Sequence, residues 1–126
     1  MIELFRRAGA HAARTAFRTP AGDTSYAAVL QRSAAIAHAL LAGREDLAQE
    51  RIAFMLPAGA DYAAVQWGIW RAGGIALALN AGAAAGEIEH MLLTAGIRRV
   101  VVRGEPGAAL AAASAALGVI CEELDS

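Results

Sequence analysis

The sequence predicts an α/β fold, in the form of a layered parallel-sheet unit with alternating strands and helices. Two observations lead to this prediction. Short apolar runs rich in β-branched residues alternate with amphipathic helical segments, and Gly, Pro and Asn stand between them. Strands that alternate with helices in this way are joined by right-handed crossovers, so the sheet is expected to be parallel. Because the chain has 126 residues, we expect residues 1–126 to form a single α/β segment.

Apolar spacing and turn residues place each element along the chain. Ser25 is the expected N-cap of the most regular helix, whose apolar period ends before Gly43. Pro57 ends a buried strand, and Gly73 and Gly74 end the helix that follows it. The predicted helices are residues 4–12, 26–41, 60–72 and 86–95 and a segment opened by Pro106 and closed by Gly118; the predicted strands are residues 15–19, 24–25, 51–56, 75–79, 99–102 and 119–121, with a turn at 20–23.

Composition and charge exclude several functions. The chain is 57% hydrophobic, but 34 of its residues are Ala, and its formal net charge is −1. It contains no Lys, and all 11 basic residues are Arg. A Walker-type phosphate loop, a Schiff-base enzyme and a receiver-type domain each rely on a Lys, so these classes are excluded for the chain alone. The scattered Arg residues form no basic stripe, so we expect no nucleic-acid partner.

The residues that most often carry chemistry are scattered. Cys121 is the single cysteine, which indicates a reducing compartment and a small apolar role rather than a zinc site. His11, His38 and His90 stand at no metal-binding or relay spacing. We therefore assign no catalytic, cofactor-binding or metal-binding residue.

Three further features have a structural and a functional interpretation. The loop at residues 80–86 could present backbone N–H groups to an anion, but Glu87 and Glu89 follow it and favour a flexible connection. Thr24 and Ser25 are interpreted as capping residues, because no nucleophile elbow surrounds them. An apolar pocket could be lined by aromatic residues at helical spacing, which are first of all expected in the core or at an interface: Tyr62, Trp67 and Trp70.

The start of the chain gives no sign of an export signal. Glu3, Arg6 and Arg7 stand where an apolar region would begin. The longest uncharged run, residues 106–121, is too short and too rich in Gly and Ala to span a bilayer. We expect a soluble cytoplasmic protein with no membrane partner.

Several segments together resemble the opening part of the adenylate-forming superfamily, which comprises acyl-CoA synthetases, adenylation domains and luciferases. They are residues 21–30 (AGDTSYAAVL), 37–41 (AHALL), 50–57 (ERIAFMLP) and 68–76 (GIWRAGGIA). Residues 70–76 and the helix 87–92 (EIEHML) are most similar to the malonyl-CoA synthetase branch. The chain departs from the family at Gln49 and Glu50, where Gly-Asp is usual, and at residues 77–79 (LAL), where Val-Pro-Leu is usual.

The resemblance implies an ATP-dependent reaction in which a carboxylate becomes an acyl-adenylate and then passes to coenzyme A. The phosphate loop, the metal-binding Glu motif, the hinge and the catalytic Lys of the family have no match in this chain. ATP, Mg and CoA are thus implied for the full-length family and not for this segment. The absence of Lys agrees independently, because Arg is a poor substitute for the adenylation lysine.

Two hypotheses follow. In the first, the chain is a scaffold segment of a malonyl-CoA synthetase-like ligase, inactive alone, and its partner is the remainder of the ligase in cis or in trans. In the second, it is a free-standing interaction module that keeps the family's opening fold. A degenerate fragment is disfavoured by the intact periodicity. Both hypotheses predict self-association, because a cut sheet leaves an unpaired strand edge.

Overall fold

The computed structural model describes residues 15–19 and 22–124. The helix predicted at residues 4–12, including His11, lies outside the described residues. The described chain is an α/β structure that divides into two compact units. The first contains Met1–Ala48 and Pro57–Gly74, and the second contains Gln49–Leu56 and Ile75–Ser126.

The first unit begins with a β-hairpin. Strands β1 (Thr15–Thr19) and β2 (Gly22–Ser25) pair antiparallel, with Thr19 opposite Gly22. The prediction for β1 is confirmed. The predicted turn at residues 20–23 is wrong at its second half, because Gly22 and Asp23 already belong to β2. Pairing of the two strands therefore extends to Thr19 and Gly22.

Helix α1 (Tyr26–Leu41) has the predicted bounds and cap. The Ser25 hydroxyl accepts a hydrogen bond from the Ala28 N–H at 3.2 Å. The helix ends at Leu41 as predicted, and Ala42, the C-cap before Gly43, has a left-handed φ of 47°. Its N–H donates to the carbonyl of His38, and this bond closes the last turn.

Helix α2 (Ala60–Arg71) packs closely against α1. At the crossing, a Cβ on Gly68 would stand 2.8 Å from Ile36 Cγ2 and 3.1 Å from the Ser33 carbonyl oxygen. The buried Ser33 hydroxyl donates to the Leu30 carbonyl at 2.8 Å and accepts from Arg71 Nη1 at 3.0 Å. Arg71 also donates to the Leu30 carbonyl at 2.9 Å. The absence of a side chain at position 68 thus permits a close helix contact that two polar groups then hold in register.

The second unit is a four-stranded parallel sheet in the order β4-β3-β5-β6. Its strands are β3 (Arg51–Met55), β4 (Ile75–Ala78), β5 (Arg99–Val102) and β6 (Ile120–Glu123), and its helices are α3 (Ala85–Ala95) and α4 (Ala108–Leu117). The predicted parallel α/β architecture is confirmed.

Strands β3 and β4 and helix α3 each differ from their predicted bounds by one residue, and two other boundaries differ more. Pro106 was expected to open α4, but Gly107 is the N-cap and its carbonyl accepts the first intrahelical bond, from Ala111. The last strand was expected at residues 119–121. It continues to Glu123, because the Leu124 N–H still bonds the Val102 carbonyl at 2.6 Å despite the polar side chains.

The core of the second unit lies between one face of the sheet and helices α3 and α4. Alternate residues of the strands point into it, as the two-residue period requires. Ile88 and Leu92 on α3 are each 1% exposed, and burying such a side chain contributes about 2 kcal/mol. The buried members are Ala53, Leu79, Ile88, Leu92, Ile97, Val100, Val102, Leu110 and Ala113.

The loop before β3 contains two consecutive left-handed residues. Ala48 has a φ of 53° and Gln49 a φ of 66°, a region that favours glycine. The Asp46 carboxylate accepts the Ala48 N–H at 2.6 Å, and the buried Leu47 donates its N–H to the Ala72 carbonyl at 2.8 Å. Gln49 stands where the resembled family has Gly, so this departure leaves backbone strain rather than a changed fold.

We expect Gly68→Leu to destabilise the protein by about 2 kcal/mol or more, because the new side chain would overpack the contact with Ile36 and the Ser33 carbonyl. Gly86→Leu is the matched control, since Gly86 lies in α3 with no atom within 4 Å of an added Cβ. Urea unfolding followed by circular dichroism measures both. Equal stability of the two variants would contradict the close helix contact.

Gln49→Gly is expected to raise the free energy of unfolding by up to about 1 kcal/mol, because glycine adopts the left-handed conformation without steric cost. The same change at Gln31, exposed within α1, should lower it by about 1 kcal/mol, as glycine does inside a helix. Thermal and urea unfolding of the two variants test this opposite sign. A loss of stability at both positions would show that residue 49 carries no strain.

Candidate functional site

The strand order places a topological switch point in the second unit. After β3 the chain forms β4, which lies on one side of β3. It then crosses over to form β5, which lies on the other side of β3. In open α/β sheets, ligands bind beyond the carboxyl ends of the two strands that flank such a point. Here these ends are Leu56, after β3, and Arg103, Gly104 and Glu105, after β5. We call these four residues the switch-point site.

The switch-point site has few side chains that could bind a ligand or take part in catalysis. Arg103 and Glu105 are exposed, Leu56 is half-buried, and Gly104 turns the chain with a φ of 71°. An arginine can bind a carboxylate or phosphate, but none of the four residues is a suitable nucleophile, and the Glu105 carboxylate partly opposes an anion. The sequence alone directs attention to the loops after β3 and β4 and gives Arg103 no role. Strand order is not visible in a sequence, so the only signal for Arg103 is that it follows β5.

At the carboxyl end of β4, the backbone groups bond to neighbouring parts of the same chain. The Leu79 N–H extends the ladder to the Phe54 carbonyl at 2.8 Å. Asn80 then accepts the Gly82 N–H on its side-chain oxygen at 2.9 Å, and its carbonyl accepts the Ala83 N–H at 3.1 Å. This Asx turn makes residues 80–84 an ordered connection to α3, which begins at Ala85, whereas the sequence favoured a flexible connection.

The main charge cluster of the second unit lies at the opposite end of the sheet. Glu50 precedes β3, and its carboxylate accepts from Arg99 Nε at 2.9 Å and from Arg99 Nη2 at 3.4 Å. Arg99 Nη1 lies 3.6 Å from a carboxylate oxygen of Glu122. The Arg99 side chain is 15% exposed and that of Glu50 is 24% exposed, so the pair is largely withdrawn from water.

A second arginine at this end contacts a helix terminus. Arg51 Nη1 donates to the carbonyl of Ala95, the last residue of α3, at 3.1 Å. A cation there also complements the helix dipole. This end of the sheet therefore joins strands to each other and to a helix, which is a structural role.

The other residues considered in the sequence do not form a site. His38 and His90 are exposed on α1 and α3. Cys121 is half-buried, and its sulfur lies 3.4 Å from the Ser114 hydroxyl oxygen. Trp67 is buried at 8% exposure, in agreement with its interpretation as a core residue.

Within residues 15–19 and 22–124, no group of three or more His, Cys, Asp or Glu side chains is placed to hold a metal ion. Over the same part of the chain, no helix has both the length and the apolar character that a membrane span needs.

The fold is similar to that of several solved ligases. A benzoate CoA ligase from Burkholderia xenovorans LB400 superposes with a TM-score of 0.82 at 24% identity, over 97% of this chain and 25% of the ligase. MatB from Rhodopseudomonas palustris has a TM-score of 0.77 at 27% identity, over 96% of this chain and 25% of MatB. A Mycobacterium tuberculosis fatty acyl CoA synthetase has a TM-score of 0.76 at 22% identity, over 98% and 26%.

The chain thus spans about a quarter of the length of these ligases. A comparison with curated protein sequences found no significant match. The family model described as AMP-binding enzyme matches residues 4–125, which is nearly the whole chain. This protein therefore belongs to the AMP-binding enzyme family.

Proposed function

We propose that this chain is a scaffold segment of an ATP-dependent acyl-CoA ligase and is inactive alone. The proposal depends on one contrast. The family model matches nearly the whole chain, residues 4–125, but the chain covers only 25% of the length of the benzoate CoA ligase. The segment contributes a parallel sheet, its covering helices and a helix pair. The remaining part of the ligase, in cis or in trans, is the proposed partner and supplies the catalytic groups.

The proposed substrate is malonate or a closely related small carboxylate. Residues 70–76 and 87–92 resemble the malonyl-CoA synthetase branch, and the 27% identity to MatB supports the same branch. In the structure these residues have scaffold roles. Gly74 donates to the Ile69 carbonyl and Gly73 to the Trp70 carbonyl, so the first segment ends α2; the second segment forms the body of α3.

The residues of this chain do not fit the cofactors that the family uses. ATP needs cations on its phosphates, but the chain has no Lys, and its switch-point site contains an acidic residue, Glu105, as well as Arg103. Glu87 in the first turn of α3 opposes a phosphate at that helix terminus. We therefore place ATP, Mg and CoA on the rest of the ligase and derive no catalytic step here. A cytoplasmic location is part of the proposal, supported by the single, half-buried Cys121.

The alternative function, a free-standing interaction module, has one observation in its favour. Three large apolar side chains are exposed in the second unit: Ile75 at 44%, Leu93 at 68% and Ile120 at 62%. Ile75 and Ile120 lie on the two edge strands, so these residues are separate apolar contact points rather than one patch. Both functions need exposed apolar contacts, so activity is the property that separates the two functions.

We expect no pyrophosphate release when the chain alone is mixed with ATP, Mg, malonate and CoA, because it has no Lys and no match to the family's phosphate loop. A chimera of MatB in which residues 4–125 of this chain replace the corresponding segment is expected to release pyrophosphate with malonate. Coupled pyrophosphate assays measure both reactions.

Two variants of the chimera serve as controls. Gly86→Leu should retain pyrophosphate release, whereas Gly68→Leu, at the helix contact, should lose it. Release by the unmodified chain alone would contradict the scaffold function. A folded chimera without activity would contradict the assignment to a ligase and favour the interaction module.

A further inference from the structure

We propose that β4 is a self-association strand, and that its free edge pairs antiparallel with β4 of a second copy of this chain. The paired strands would join two four-stranded sheets into one continuous sheet across a two-fold axis. This inference concerns the second unit alone and does not depend on the proposed ligase function.

The first support is the backbone of β4. Among the described residues, β4 and β6 are the two edges of the sheet. The N–H groups of Ile75 and Leu79 donate toward β3, to the carbonyls of Glu50 at 2.9 Å and Phe54 at 2.8 Å. Because backbone groups alternate along a strand, the N–H and C=O groups of Ala76 and Ala78 point away from β3. The outer edge of β4 thus offers two complete donor and acceptor pairs.

The second support is the difference in charge between the two edges. Strand β6 carries Glu122 and Glu123, and like charges brought opposite each other would disfavour its pairing with a copy of itself. Strand β4 has the sequence Ile-Ala-Leu-Ala, with no charge, no proline and no bulge in its pairing to β3. Natural edge strands are usually protected by such features or by being very short, and both edges here have four residues. Of the two, β4 is therefore the less protected edge, and its neutral sequence is compatible with itself.

The register follows from the alternation. In an antiparallel pair, the outward-facing Ala76 of one copy stands opposite Ala78 of the other, and these pairs exchange hydrogen bonds. Leu77 then stands opposite Leu77 on the two-fold axis, and Ile75 stands opposite Leu79. All facing side chains are apolar, and Ile75, at 44% exposure, would lose water contact. Since the strand has four residues, the dimer should be weak and depend on concentration.

Sedimentation of the full chain between about 5 and 200 µM, a range in which exposed edges associate, tests the proposal. We expect a monomer that converts to a dimer as concentration rises. Ala78→Pro removes an outward N–H that β3 does not use, so it should leave the chain monomeric over this range. Glu123→Pro makes the same change near the end of the other edge and should leave dimer formation unchanged.

Hydrogen exchange of the unmodified chain provides a second measurement that does not require a variant to fold. The amides of Ala76 and Ala78 should exchange several-fold more slowly at the highest concentration than at the lowest. The amides of Cys121 and Glu123 on β6 should not change. A chain that stays monomeric at 200 µM would overturn the proposal, as would dimerisation that survives in a folded Ala78→Pro variant or is abolished by Glu123→Pro.

Discussion

The structure of the second unit depends on the parallel pairing of β3 with a strand on each side. Ala53 is paired with Leu77 of β4 on one side and with Val100 of β5 on the other. Ile52, Ala53 and Phe54 are completely buried. Because both β4 and β5 are hydrogen-bonded to β3, the register of β3 determines where the loops that follow these strands begin. A one-residue shift would turn the core side chains of β3 to the opposite face.

The distribution of charge along the sheet agrees with a scaffold role. At the amino end, Arg99 bonds Glu50 with two nitrogens, and Arg51 bonds the end of α3. At the carboxyl end, where ligands bind in this class of fold, Arg103 and Glu105 are the charged side chains of the switch-point site. Polar groups are thus concentrated where they stabilise the sheet. This arrangement suits a segment whose ligand-binding groups are supplied by other parts of a ligase.

Much of the fold follows from the sequence because local signals and packing agree. Ser25 and the apolar period of residues 26–41 define α1, and the β-branched run 99–102 defines β5. Local signals were misleading where a neighbouring bond decided the boundary, as at Gly107, whose carbonyl rather than Pro106 starts α4. The hairpin pairing likewise extended β2 into the predicted turn.

The residues of the candidate site were harder to predict from the sequence than the fold was. Arg103 gains its position from the strand order, which arises from contacts between residues far apart in the chain. The same is true of Glu50 and Arg99, which are 49 residues apart and pair only because β3 and β5 are neighbours. Family resemblance identified the chain, but not which of its polar residues would meet.

Equilibrium binding of ATP with Mg to the full chain, measured by isothermal titration calorimetry, tests the central claim most directly. We predict no saturable binding up to about 1 mM nucleotide, because the chain has no Lys and no match to the family's phosphate loop. Saturable binding at micromolar concentration would contradict it, since the chain would then contain a nucleotide site of its own.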